Sequence, residues 1–454
     1  MNYDIVIKNG SIVTAEATYH ADLGIRGERI AAIGHDLEGA QVIDATDKFV
    51  TPGAVDTHVH LSLDLGGGLV SSDDFFTGTR AAALGGTTCV IPFVHPEAEE
   101  SMLQALERRR AEGDPQVVID YAFHMNIGPH HLDRLHEVRA VAEAGISTYK
   151  LYMAYGYRLD DAGLWRALEA VRDMNGLPVV HAENWEIITA LIARHLAEGH
   201  THPRWHPRSR PAIMESEAAG RVIDLATYVG VPVLIFHVGN IETTKRIAAA
   251  RARGLPVYGE TCPQYLFLTD KAFEADGVAA AYPICAPPLR GEHDRLYLWE
   301  ALARDELQLV STDHCPWTHA QKEHGYAQNF SKVPGGVPSI EMRFAALYSY
   351  GVLGGHFSLN RWVDLCCTTP ARLHHLATKG TLAPGYDADI VIFDPAACRA
   401  LSAETLHENC DWTPYNGLDI QGWPQTVFSR GRVVVQDGKF VGEKGAGRFI
   451  PRYT

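Results

Sequence analysis

Positive charge is the first shortage. Against 55 Asp and Glu the chain of 454 residues sets 40 Lys and Arg, a formal net charge of −15 with His neutral. That balance disfavours an electrostatic grip on nucleic acid or an anionic membrane surface. Cysteine is sparse too: eight residues lie scattered through a long chain with no C-x-x-C pair, so reduced and mostly buried thiols are expected rather than a disulfide scaffold. Long apolar runs are missing. The most apolar stretch, residues 229–238, falls well short of the roughly 20 residues needed to span a bilayer. The opening MNYDIVIKNG has an acid at Asp4 and neither a basic nor an apolar leader region, so the expectation is a cytoplasmic protein without a secretory signal. Internal repeats and low-complexity tracts are lacking as well.

What is present is an ordinary globular composition, 46% hydrophobic and 21% charged, able to bury a large core. Residues 1–51 read as strands and tight turns. Asp4-Ile-Val-Ile-Lys alternates, Asn9-Gly10 signals a hairpin, and Gly27-Glu28 punctuates a second strand pair. From 52 to about 380 apolar β-branched runs alternate with amphipathic helical stretches. The runs lie near 53–60, 87–93, 117–125, 147–153, 178–182, 232–238, 256–261 and 308–313; helical periodicity is clear over 133–145, 162–175, 215–228 and 294–305. Eight βα units predict an α/β fold closed as a (β/α)8 TIM barrel. Residues 381–454 return to strand patterns, with a turn at Arg430-Gly431, and are expected to join residues 1–51 in one β-sandwich beside the barrel. The Pro-rich stretch 202–211 reads as a structured loop.

The chemistry collects at the ends of these runs. His58 and His60 stand two apart on the first, so their side chains share a face and both imidazoles reach one metal. His181 closes the fifth run, His237 the sixth and Asp313 the eighth. Each alone is an unremarkable buried polar residue; together, at matching ends of parallel strands, four imidazoles and a carboxylate suit zinc or a similar divalent ion. Lys150 ends the fourth run and points into the same mouth. It has two readings: a structural lysine paired with a carboxylate, or a neutral amine that has taken up carbon dioxide as a carbamate bridging two metals. The accompanying ligands favour the carbamate. By alternation His314 faces away from Asp313's side. Cys262 and Cys315 read as packing, the glycines after Leu65 as a mobile substrate loop, and His202, His206, His319 and His324 as loop residues without metal spacing.

The segments Gly53-Ala-Val-Asp-Thr-His-Val-His, Tyr149-Lys-Leu-Tyr-Met-Ala-Tyr, Val180-His-Ala-Glu-Asn, Gly259-Glu-Thr-Cys-Pro-Gln-Tyr-Leu and Thr312-Asp-His-Cys-Pro resemble the hydantoinase/dihydropyrimidinase branch of cyclic amidohydrolases. The resemblance spans essentially the whole chain, including the tail Gly445-Ala-Gly-Arg-Phe-Ile-Pro-Arg452. It implies a barrel with a side sandwich, two metals, a carboxylated lysine and often a tetramer. It also implies that His58, His60, Lys150, His181, His237 and Asp313 hold the metals, that Asp313 moves the proton, that Tyr155 polarises a substrate carbonyl, and that backbone groups near Ala286 and Gly335 hold the ring amide. Leu65, Tyr152 and Leu159 then fall on loops expected to surround a substituent outside the ring. Two positions depart from the family pattern. Dihydropyrimidinases commonly carry Ser before Pro-Pro and Asn before Gly-Val-Pro, where this chain has Ala286 and Gly335-Gly336. The expected activity is hydrolysis of a hydantoin or dihydropyrimidine ring to an N-carbamoyl acid; an allantoinase or other cyclic imidase, and a non-catalytic scaffold of the same family, are the alternatives.

Overall fold

The computed structural model describes residues 3–454, so the first two residues of the 1–51 segment lie outside it. All eight apolar runs contain parallel strand. The first three pair as Ala54–Asp56, Thr87–Val90 and Asp120–Tyr121. The second and third runs continue as Phe93–Val94 and His124–Asn126, and the sheet then proceeds in chain order through Thr148–Tyr152, Leu177–His181, Val233–Ile235, Val257–Thr261 and Leu309–Val310. This parallel sheet curls until the first run meets the last: Val59 bridges His314, and the His60 amide donates to the His314 carbonyl at 2.7 Å. Strands buried on both faces need apolar, β-branched residues on both sides, which is why these runs are continuous rather than alternating.

Helices flank the sheet, and their boundaries follow local chemistry. Asp160, Asn184 and Asn240 each cap the helix that follows by accepting from a backbone amide three residues on. In Asp161–Arg172 the buried Leu164, Ala167, Leu168 and Val171 form one stripe at helical spacing, facing the strands. The helical stretch expected at 133–145 is shorter, Glu137–Glu143, because a tighter turn of helix over Pro129–Arg134 precedes it. Within 202–211 residues Trp205–Ser209 form a short helix, and His319 and His324 also sit on a helix, His319–Tyr326.

The chain ends meet in a seven-stranded mixed sheet. Phe49–Pro52 lies between Ser11–Val13 and Ile390–Ala400, and the latter pairs with Asp419–Ser429. A four-stranded sheet from the N-terminal segment alone shares with it a core of Ile7, Ile25, Ile30, Val50, Ile390 and Phe428. The turns at Gly27-Glu28 and Arg430-Gly431 close antiparallel pairs as expected. Asn9-Gly10 does not. A two-residue hairpin of the expected type needs positive φ at both positions; only Asn9 has it, at 65°, and the chain passes from one sheet to the other. A Cβ on Gly10 would lie 2.6 Å from a Val50 methyl carbon, so the glycine serves this close crossing. Among the described residues no helix is long and apolar enough to cross a membrane.

Candidate metal centre

Strand register brings the polar strand ends together. Tyr152 is opposite His181, and Lys150 lies one strand over from Asn126, so side chains that leave their strands at the same level enter one cavity of about 400 Å³. It is lined by His58, His60, Lys150, His181, His237 and Asp313. The Nε2 atoms of His58 and His60 lie 3.0 and 3.1 Å from the same Asp313 oxygen. The His181 and His237 ring centroids are 4.6 Å apart, and those of His58 and His237 5.4 Å.

Supporting carboxylates hold these rings. Glu260 takes His58 Nδ1 at 2.8 Å, and Glu183 takes His181 Nε2 at 2.8 Å. A buried carboxylate on the far nitrogen is the usual way a metal-binding imidazole is oriented. Burial holds His58 well below the ordinary imidazole range, the carboxylate of Asp313 only partly opposing it. A neutral imidazole has one N–H, yet His58 faces carboxylate oxygens with both nitrogens, and His60 aims at the same Asp313 oxygen. A cation among them satisfies these facing acceptors. The Nδ1 atoms of His60 and His237 are buried without a hydrogen-bond partner. Nitrogen and oxygen donors so arranged fit a borderline divalent ion.

Lys150 is 1% exposed and makes no ion pair among the described residues. Its amine lies 4.3 Å from the Phe236 ring centre and 4.7 Å from that of Tyr152. Burial brings its pKa down to about 7, against the pull of Asp313 and Glu260. Burial also works to raise Asp313, but His58, His60 and Lys150 outweigh it and keep the carboxyl below its usual value.

Tyr155 lines the same cavity, its ring 5.3 Å from that of His181. Its hydroxyl accepts from Arg210 Nη2 at 3.2 Å, and Arg210 is itself paired with Glu183. Burial pushes the phenol up, leaving it a neutral donor. Ala286, Gly335, Leu65 and Tyr152 also line the cavity. Leu159 does not. It is buried in the main hydrophobic cluster, because its amide bonds back to the Tyr152 carbonyl at 2.9 Å and turns the side chain into the core. The loop after Leu65 is a closed turn, bridged between Asp64 and Val70, with Gly66, Gly67 and Gly68 all at positive φ.

His314 faces away, held by Asp73 at 3.0 Å, as alternation predicts. Burial raises the thiols of both Cys262, which packs in the hydrophobic core, and Cys315, which, against the expectation of packing alone, lines the cavity. Glu260, Glu183 and Arg210 escaped the sequence reading. A glutamate inside the apolar run 256–261 was the available signal for Glu260; Arg210 is contributed by a distant segment and has none.

The Amidohydrolase family profile matches residues 49–434. The D-hydantoinase of Streptomyces coelicolor is 41% identical over 100% of this chain and 99% of its own length. A crystal structure of dihydropyrimidinase from Brevibacillus agri superposes with a TM-score of 0.96 at 42% identity, covering 99% of this chain and 98% of that one. The L-hydantoinase (dihydropyrimidinase) of Arthrobacter aurescens superposes with a TM-score of 0.92 at 30% identity, covering 99% and 100%. With a matched profile over most of its length and relatives of this similarity end to end, the chain belongs to the amidohydrolase family.

Proposed function

We propose that the protein is a cyclic amidohydrolase that opens a hydantoin or dihydropyrimidine ring at an amide C–N bond, giving an N-carbamoyl amino acid. The observation that carries this reading is the convergence of four imidazoles, Lys150 and Asp313 on one cavity with Tyr155 at its wall. The curled sheet is read as a closed (β/α)8 barrel over 52–380, supported by the Val59–His314 bridge. Residues 1–51 and 381–454 form a β-sandwich domain, supported by their common sheet and core.

His58, His60, His181, His237, Asp313 and a carboxylated Lys150 would hold two divalent ions, zinc by donor type. A buried amine near neutrality is the nucleophile the modification requires: the lone pair of the neutral amine attacks carbon dioxide, an N–C bond forms as one C=O π pair moves onto oxygen, and one N–H proton leaves to water, so a neutral amine becomes a carbamate anion. The ions when bound supply a Lewis acid for the ring carbonyl and lower the pKa of the hydrolytic water. Asp313 takes the proton of that water and returns it to the departing ring nitrogen. Tyr155, its oxygen already accepting from Arg210, has its own proton free for the tetrahedral oxyanion. Glu260 and Glu183 keep His58 and His181 in register. Main-chain groups at Ala286 and Gly335 hold the ring amide, which does not require the Ser and Asn side chains found at these positions in relatives. The reading extends to a cytoplasmic homotetramer acting on a small cyclic amide or imide.

Steady-state hydrolysis of dihydrouracil, hydantoin, 5-substituted hydantoins and allantoin tests it. Ring opening of the hydantoins or dihydrouracil is expected; turnover of allantoin alone reassigns the enzyme, and inert metal-replete protein overturns catalysis in favour of a scaffold.

A further inference from the structure

Three sets of acidic and imidazole groups converge closely enough among the described residues to hold an ion. One is the centre described above. In another, Asp120, Asp387 and Asp389, the Lys379 ammonium stands where a cation would, 2.5 to 2.9 Å from each carboxylate. The remaining set, His195, Glu198 and His200, has no such lysine.

Local backbone chemistry builds it. Helix Trp185–Ala197 ends in two overlapping bonds: the Gly199 amide donates to the Leu196 carbonyl at 3.0 Å and the His200 amide to the His195 carbonyl at 2.9 Å. Gly199 supplies the left-handed residue, φ 80°, that this ending requires. Such a motif brings the first and last of these side chains together, commonly as an apolar contact. Here both are histidines, with a glutamate between.

Glu198 Oε2 is 3.3 Å from His200 Nδ1 and 3.8 Å from His195 Nδ1. Around a tetrahedral ion with bonds of about 2.0–2.1 Å, neighbouring donors stand about 3.3–3.5 Å apart. His195 is only 7% exposed, and its Nδ1, like that of His200, is buried without a hydrogen-bond partner. The Trp205 ring stacks on His200 at 3.7 Å and 6° and lies 4.7 Å from His195, walling one side. The remaining side is open to water, since Glu198 is half exposed.

We propose that His195, Glu198 and His200 form a further metal site, separate from the cavity, for a divalent transition ion of the zinc class, with water completing the coordination. Two imidazole nitrogens and one carboxylate oxygen select such an ion over magnesium or calcium, which prefer all-oxygen shells. An ion here braces the corner leading into Trp205–Ser209. That helix carries His206, which contacts the Cys285 carbonyl at 2.8 Å, and ends beside Arg210, the partner of Tyr155.

Equilibrium dialysis of the holoenzyme against micromolar Zn²⁺, with metal counted per chain, tests the site. Wild type should carry one ion more than Glu198→Gln and His200→Asn, changes at a half-exposed and a partly buried position. Zinc affinity at this site should fall in each variant by more than the about 10- to 100-fold that loss of an outer partner costs. Ni²⁺ should quench tryptophan fluorescence in wild type and much less in Trp205→Phe. Equal zinc in wild type and both variants overturns the proposal, as does quenching unchanged by either ligand substitution. The difference between proteins is the readout, so it stands whether or not the cavity ions and ring-opening activity are as proposed.

Discussion

At the scale of single residues, Lys150 and Asp313 separate metal assembly from proton transfer. On the proposed carbamate, Lys150→Ala removes the group that would bridge the ions. It is expected to lose most bound metal and activity together, with small carboxylates such as propionate restoring part of both by filling the space. Metal analysis and turnover of the same preparation check this, and a metal-replete, fully active Lys150→Ala protein would exclude the carbamate. Asp313→Asn keeps shape and a coordinating oxygen but cannot accept the proton. Metal is expected to stay while kcat falls by about 10²-fold or more; undiminished kcat would assign the base elsewhere. His58, His60 and Asp313 share one oxygen at 3.0 and 3.1 Å, so their contributions will not add in double variants.

At the scale of elements, two leucines on neighbouring loops should behave oppositely. Leu65 is 49% exposed at the cavity rim, whereas Leu159 is 5% exposed in the core. Leu65→Ala is expected to change kcat/KM for a phenyl-substituted hydantoin relative to dihydrouracil by about 10-fold, the range open to pocket contacts worth about 1–3 kcal/mol. Leu159→Ala instead leaves a cavity in the cluster and should cost about 2–5 kcal/mol of stability without that selective change. Parallel kcat/KM shifts for both substrates in Leu65→Ala would remove the loop from specificity.

At the scale of the whole molecule, Lys379 joins the two sheets. Its ammonium meets Asp120 of the parallel sheet and Asp387 and Asp389 at the start of the C-terminal strands, while Arg430 reaches Asp120 from a hairpin turn. Burial opposes the charge, but these carboxylates win and hold the lysine well above its ordinary pKa. A raised lysine pKa contributes stability that is complete below the unfolded value of about 10.4 and is lost only as pH rises through the folded one. Lys379→Met leaves the buried Asp389 without a side-chain cation, while Asp120 keeps Arg430 and Asp387 keeps Arg29, and should cost about 3–5 kcal/mol. Urea unfolding should show that loss unchanged between pH 6 and 9; a loss below about 1 kcal/mol would show that the cluster does not hold the sheets together.

The sequence by itself determined what is periodic or local: the eight apolar runs, the helices between them, the turns at Gly27-Glu28 and Arg430-Gly431, and the positions of His58, His60, His181, His237 and Asp313 at or just past strand ends, whereas Lys150, expected at the end of its run, lies in the middle of Thr148–Tyr152. A strand's period of two and a helix's 3.6 are written in neighbouring residues. Tertiary structure decided what depends on residues far apart. It sent Asn9-Gly10 across two sheets, turned Leu159 inward, set Glu260 behind His58 over a separation of 202 residues, and delivered Arg210 to Tyr155 from 55 residues away. The reason is physical: a buried charge must find a partner wherever the fold supplies one, and no local pattern in the chain records which partner that is.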